Sequence, residues 1–152
     1  LRAAAFLLTG VGAGALAVTS SPFIAVAFCF QTELTPGQCW AFQGSQGRVV
    51  IKLPAPVWPT ALTVQHISKA DSPSGSVSSA PKDIAVSGLD NEGDATLLGT
   101  FVYDIERELL QLFLLKNEFH KAFQYIQIDV ESNWGNPDYT CIYQVQVHGR
   151  RA

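Results

Sequence analysis

The chain has 152 residues, enough for one domain whose core removes about 70% of the unfolded chain's surface from water. Ten basic residues against thirteen acidic ones leave a net charge of −3, and the one basic cluster, Arg150 and Arg151, stands at the very end, so the sequence carries no electrostatic footprint for nucleic acid. Eight prolines, twelve glycines and many short Val, Ile, Leu and Phe runs favour an all-β fold over a helical one, and the lack of methionine, even at position 1, reads as a fragment or a processed product.

Residues 1–30 contain a single charge, Arg2, and no acidic residue. Such a run is long enough to cross a bilayer, although its Ala and Gly content and Pro22 make it a mediocre membrane helix. Ala15-Leu16-Ala17 and Ala25-Val26-Ala27 also fit a signal-peptide cleavage site. Either way the positive charge lies on the N-terminal side, which places the downstream chain in the lumen. The segment is therefore expected to lie outside the domain, as membrane-like, signal-like or aberrant sequence. Within it, Gly10-Val11-Gly12-Ala13-Gly14-Ala15 satisfies a dinucleotide-binding pattern, with Glu33 further on. That fold needs a helix and a second parallel strand next, whereas Thr19-Ser20-Ser21-Pro22 and short β runs come instead.

From residue 38 onward short strands alternate with turn formers. The expected strands are 39–42, 48–53, 61–67, 83–89, 96–103, 111–116, 124–132 and 139–148, a spacing that reads as an antiparallel β-sandwich. Residues 44–47 are expected to close a hairpin, and residues 91–94 form another polar turn. Residues 69–82, rich in Ser, Pro and Gly, read as an insertion within one domain. Ile105, Leu109, Leu112 and Phe113 have helical spacing, but the nearly continuous apolar run 109–115 and its neighbours favour a buried strand. Ile126, Ile128 and Val130 alternate with Gln127, Asp129 and Glu131, giving one dry and one wet face.

Asn133 to Asp138 packs Asn, Trp, Gly, Asn, Pro and Asp together and must turn the chain. Beyond it, Tyr139, Cys141, Tyr143, Val145 and Val147 point one way, while Thr140, Ile142, Gln144, Gln146 and His148 point the other. Two tyrosines beside a cysteine offer hydroxyls that need partners if buried and can bind a ligand at an open edge.

Residue chemistry gives no case for an enzyme. His66, His120 and His148 are scattered, with none at a ligand spacing to Cys, Asp or Glu. Nothing fixes a separation between any two of the aspartates. Cys29, Cys39 and Cys141 are open to two readings, three buried free thiols or a disulfide in a luminal domain.

Several blocks stand in register with a known family. Pro36-Gly37-Gln38-Cys39-Trp40-Ala41-Phe42-Gln43-Gly44, Pro59-Thr60-Ala61, His66, Ser78-Ser79-Ala80-Pro81-Lys82-Asp83 and the stretch 132–149 occur in the order found in SUN domains. From about Gln31 to Gly149 the chain resembles that family, the C-terminal module of inner nuclear membrane proteins that captures KASH-protein tails in the perinuclear space. The resemblance implies a SUN-like β-sandwich over residues 31–152, a non-enzymatic tether within the LINC complex linking nucleus and cytoskeleton. It implies a disulfide between Cys39 and Cys141, with Cys29 left over, and a pocket for the KASH C-terminus lined by His66, Ser79, Tyr139 and Tyr143. It also implies homotrimers, membrane attachment through an N-terminal segment, and a monovalent-cation loop for potassium over Gln31, Glu33 and Gln38 with Tyr143 nearby. The sequence departs from the family upstream of Gln31, where the KASH lid and the coiled coil are replaced, and at Gln144 and Gln146, usually basic. A different class, a secreted or luminal lectin-like β-sandwich that binds a small ligand with its loops, is the alternative.

Overall fold

A computed structural model describes residues 2–4, 6–7, 17–19, 26–29 and 39–152 apart from 73, 91, 119 and 120. Twelve strands occupy them: β1 (Arg2–Ala4), β2 (Phe6–Leu7), β3 (Ala17–Thr19), β4 (Val26–Cys29), β5 (Trp40–Gln43), β6 (Gly47–Gln65), β7 (Asp83–Leu89), β8 (Ala95–Val102), β9 (Leu110–Leu114), β10 (Phe123–Val130), β11 (Tyr139–Ile142) and β12 (Gln144–Arg151). All pair antiparallel. The expected all-β sandwich is the observed fold. No helix among the described residues is long and apolar enough to cross a membrane. The expectation of a segment 1–30 outside the domain falls mostly on residues outside those described; of its short strands, β1 pairs with β3, β2 with β6 and β4 with β12.

The architecture turns on β6. The expected strands 48–53 and 61–67 are one strand of 19 residues that runs through both layers. Its first part pairs with β10, from Val130↔Gly47 to Phe123↔Val57, and its second part pairs with β12, from Arg151↔Val57 to Gln144↔Gln65. Because β10 and β12 both reach Val57, they lie on opposite edges, and β9 follows β10 along the shared edge through Ala61↔Leu114 to Gln65↔Leu110. Pro54, Pro56 and Pro59 lie where the partners change hands. A proline has no N–H to give a ladder. The register shifts accordingly, between Phe123 and Tyr125 on one edge and between His148 and Gly149 on the other.

β7 and β8 extend the β10 side as a hairpin whose turn is held by Asp90, with Oδ1 accepting the N–H groups of Glu92 and Asp94 at 2.9 and 3.0 Å. Gly88 on β7 lies under Phe123, where a Cβ would sit 2.5 Å from the ring. Val49, Ile51, Leu53, Leu62, Val64, Ile84, Val86, Ile126, Ile128, Val145 and Val147 fill the space between the layers. A small second cluster of Ile67, Cys141 and Tyr143, with Cys39 against it, caps one end. Within residues 109–115 the strand reading holds, as β9, but the strand is not the buried one expected: Leu110, Leu112 and Leu114 are exposed, because one face of β9 is left uncovered among the described residues.

Two local expectations are corrected. The turn after β5 does not close a hairpin: β5 pairs with β11, from Tyr139↔Gln43 to Ile142↔Trp40. Gly44 is drawn toward β11 on both its polar groups, its N–H donating to Asp138 O at 2.9 Å and its carbonyl accepting from Thr140 Oγ1 at 2.8 Å. The strand expected over 139–148 breaks at Tyr143, and its alternation holds only in the second half. Thr140 and Ile142 are as buried as Cys141 and Tyr143, because β11 is covered on both faces.

Candidate functional site

The turn 133–138 sets the entry to β11 through two asparagines. Asn133 Nδ2 donates to Asn136 O, Tyr139 O and Thr140 Oγ1 at 2.8, 3.2 and 3.0 Å, and its Oδ1 accepts from Gly135 N at 2.9 Å. Asn136 Oδ1 accepts from the N–H groups of Asp138 and Tyr139 at 2.9 and 3.1 Å. Gly135 has φ of 113°, a conformation that a side chain would oppose. Trp134 anchors the turn from outside, with Nε1 donating to Tyr103 O at 2.7 Å and Lys82 Nζ 4.8 Å from the ring centroid.

So positioned, β11 leads Tyr139, Cys141 and Tyr143 past the loop 66–80. Cys141 N donates to Ser79 O at 2.8 Å, tying that serine to the strand. Cys141 is bonded to Cys39, with Cα atoms 5.6 Å apart and a sequence separation of 102. His66, Ser79, Tyr139 and Tyr143, expected together, line one cavity of about 320 Å³ with Ala41, Ser72, Ser74 and the disulfide. Among the described residues no Asp, Glu, Lys or Arg lines it.

His66 is 2% exposed and its chemistry is fixed by its partners. A carbonyl only accepts, so the 3.1 Å contact with Ile67 O places the proton on Nδ1 and leaves the Nε2 lone pair toward Ser79 Oγ, 3.5 Å away. Burial lowers the imidazole's pKa, against the opposing pull of the Ile67 carbonyl, so the ring is neutral at pH 7. The ring meets Tyr143 edge-on, with centroids 4.9 Å apart at 83°. Its described lining is thus uncharged, with hydroxyl donors and aromatic walls.

Sequence reasoning missed Tyr103, which supports this wall from behind. Its hydroxyl accepts the His66 backbone N–H at 3.2 Å and donates to Leu109 O, and desolvation pushes its pKa up to about 12 against the lowering effect of the His66 bond. The only signal was a tyrosine at the end of an apolar strand. Ser72 and Ser74, also missed, belong to a loop whose composition predicts no wall. A larger cavity of about 610 Å³ lies across that loop, sharing His66 and lined also by Tyr103, Ile105, Leu109 and Trp134.

Of the expected cation loop, Gln31, Glu33 and Gln38 lie outside the described residues, and only Tyr143 is described. Among the described residues no group of three His, Cys, Asp or Glu is placed to hold a metal ion.

The family described as Sad1 / UNC-like C-terminal matches residues 20–151. The chain belongs to the SUN-domain family. It is 50% identical over 122 residues to SUN domain-containing protein 1 of Homo sapiens, covering 78% of this chain and 16% of that protein. It is 46% identical to SUN domain-containing proteins 2 and 3 of Mus musculus, over 124 and 121 residues, covering 80% and 78% of this chain and 17% and 38% of those proteins. This SUN domain therefore spans well under half the length of these relatives. Among solved structures, its fold is similar to a family 32 carbohydrate-binding module from Streptococcus pneumoniae EndoD, with a TM-score of 0.60 at 18% identity over 78% of this chain and 80% of that one. A second likeness is to a module from Clostridium perfringens solved with GalNAc-β-1,3-galactose, with a TM-score of 0.56 at 9% identity over 81% of this chain and 94% of that one. At these identities the likeness concerns the fold alone.

Proposed function

We propose that this SUN domain is a non-enzymatic tether that holds the C-terminal tail of a KASH protein in the perinuclear space, in a LINC complex linking nucleus and cytoskeleton. The observation that carries the reading is the convergence of His66, Ser79, Tyr139 and Tyr143 on one cavity of about 320 Å³ with no charged side chain among the described residues of its lining. That chemistry suits the end of a peptide. Hydroxyls donate to a terminal carboxylate, aromatic faces pack on prolines, and the volume accommodates one small terminal residue. Inner nuclear membrane attachment, homotrimers and a potassium ion on the carbonyls around Gln31, Glu33 and Gln38 belong to the same reading, drawn from the family.

The test is calorimetric titration of a Pro-rich KASH tail, set against the same tail without its last residue. The intact tail is expected to bind and the shortened one to fail. Tyr143→Phe and Ser79→Ala each remove a hydroxyl, and loss of a charge-assisted bond worth about 1.5–3 kcal/mol weakens binding about ten- to a hundred-fold. Equal affinities with matching melting curves would remove these hydroxyls from the site. Binding of a sugar in place of either peptide would favour the lectin-like module.

A further inference from the structure

A serine hydroxyl has one proton to give, and the direction of the bonds around His66 commits that of Ser79. With the Nδ1 proton on the Ile67 carbonyl at 3.1 Å, Nε2 is an acceptor, and the group it faces at 3.5 Å is Ser79 Oγ. Both side chains are buried. A carboxylate that reaches Ser79 needs the same proton, and once it is taken the Nε2 lone pair faces a lone pair of the serine oxygen. A proton on Nε2 removes the conflict. Nε2–H then donates to Ser79 Oγ, the Ser79 O–H donates to the carboxylate, and Nδ1–H stays on the Ile67 carbonyl.

Charge points the same way. Taking a carboxylate out of water is costly without an opposite charge beside it, and among the described residues lining this cavity only His66 can become a cation near neutral pH. The groups that face the ring from its neighbours do not supply one. Tyr143 meets it edge-on and Tyr139 lines the same cavity. Tyr103, behind, has its pKa pushed up to about 12 and is uncharged, while Cys39 and Cys141 are bonded to each other. On the loop after β6, Asp71 is exposed and accepts from Ser68. Lys69, Glu106 and Arg107 line the larger cavity, on the far side of that loop, and are exposed to solvent that screens them. Burial holds the imidazole neutral at pH 7, and a carboxylate at Ser79 acts in the opposite sense, favouring the charged ring.

We propose that His66 takes up a proton from solvent when a C-terminal carboxylate enters this cavity, and that the imidazolium, acting through Ser79, is the positive partner of that carboxylate. The proposal rests on the peptide-tail reading of the cavity and adds a regulation to it. The complex holds one more proton than the free domain, so the tail binds more tightly as pH falls and more weakly as pH rises through the value that His66 has in the complex. The window opens, on its acid side, below the ordinary imidazole value of about 6.5, where the free ring begins to take up a proton by itself.

Calorimetry of the full chain with an N-acetylated Pro-rich tail tests it, at about pH 6.8 in phosphate and in ACES, two buffers whose heats of ionisation differ. The expected result is a difference in binding heat that corresponds to uptake approaching one proton per tail, and an affinity that falls by up to about tenfold per unit as pH is raised from about 6 to 8. A tail with an amidated C-terminus is expected to bind weakly and to take up no proton. In His66→Gln the side chain no longer titrates, so the uptake and the pH dependence should both vanish. If that variant fails to fold, the wild-type proton count still decides. Binding with equal heats in the two buffers leaves the peptide-tail reading standing and overturns the proposal. Uptake that persists in His66→Gln, or with the amidated tail, assigns the proton to another group and overturns it equally. A tail that does not bind at any pH removes the peptide-tail reading and the proposal with it.

Discussion

Tyr103 holds His66 by its backbone. One buried phenol accepts the His66 N–H and donates to the Leu109 carbonyl, joining the loop after β6 to the approach to β9. Tyr103→Phe keeps the ring and strands both partners. An unsatisfied buried group costs about 1–3 kcal/mol, so the urea midpoint is expected to fall with the slope of the transition unchanged. An unchanged midpoint would mean that water or a shifted loop supplies the missing partner.

The buried imidazoles predict a direction for pH dependence. His66 and His148 both have their pKa lowered by burial in the folded chain. Below the ordinary value of about 6.5 the unfolded chain binds protons that the folded chain refuses, so stability is fully present above that value and declines as pH falls below it. Urea titrations between about pH 7.5 and 5 should show this decline. His66→Gln should make it shallower, with His148 supplying the remainder; an identical slope would mean that folded His66 takes up its proton without cost.

The bridge between Cys39 and Cys141 closes a loop across 102 positions. On the chain-entropy model a loop of that length is worth about 4–5 kcal/mol. Replacing both cysteines with serine should lower stability by up to that amount and loosen Tyr143 and Ile67, which pack in the same small cluster. Mapping under non-reducing conditions gives the complementary check, with peptides around Cys39 and Cys141 released together only after reduction.

Asn133 is the most heavily used side chain of the turn before β11, bonding to Asn136, Tyr139, Thr140 and Gly135. Asn133→Ala should cost about 2–3 kcal/mol, since several of these bonds are lost together. Asn133→Asp keeps an acceptor for the Gly135 N–H but loses the donors, so it should rank between alanine and wild type. If the two substitutions behave alike, the donors dominate.

Strand content, the 133–138 turn and the turn that Asp90 closes onto Glu92 and Asp94 were legible because each rests on local chemistry: alternation at Ile126, Ile128 and Val130, and the turn-forming habits of Asn, Gly and Asp. The pairing of β5 with β11 was not, because Gly44 and Gly47 look like a hairpin until Thr140, nearly a hundred positions away, takes the Gly44 carbonyl. The prolines of β6 misled similarly: they read as breaks between two strands but mark a change of partners within one. At the candidate site, His66, Ser79, Tyr139 and Tyr143 were named through the resemblance of their blocks to a family. Tyr103 escaped because its importance lies in what its hydroxyl reaches across the fold, which no periodicity records.

The continuity of β6 also dictates the order of events during synthesis. Every long partner of this strand comes later in the chain, with β10 beginning at Phe123 and β12 ending at Arg151. Emerging from the ribosome, β6 has its apolar residues ready and, beyond the two-residue β2, no strand to pair with until most of the remaining chain has been made. Such non-local pairing folds late and leaves strand edges exposed to aggregation meanwhile. Pro54, Pro56 and Pro59 interrupt the row of donors through this waiting period, so features that merely shift the register of the finished ladder act as safeguards for the nascent one.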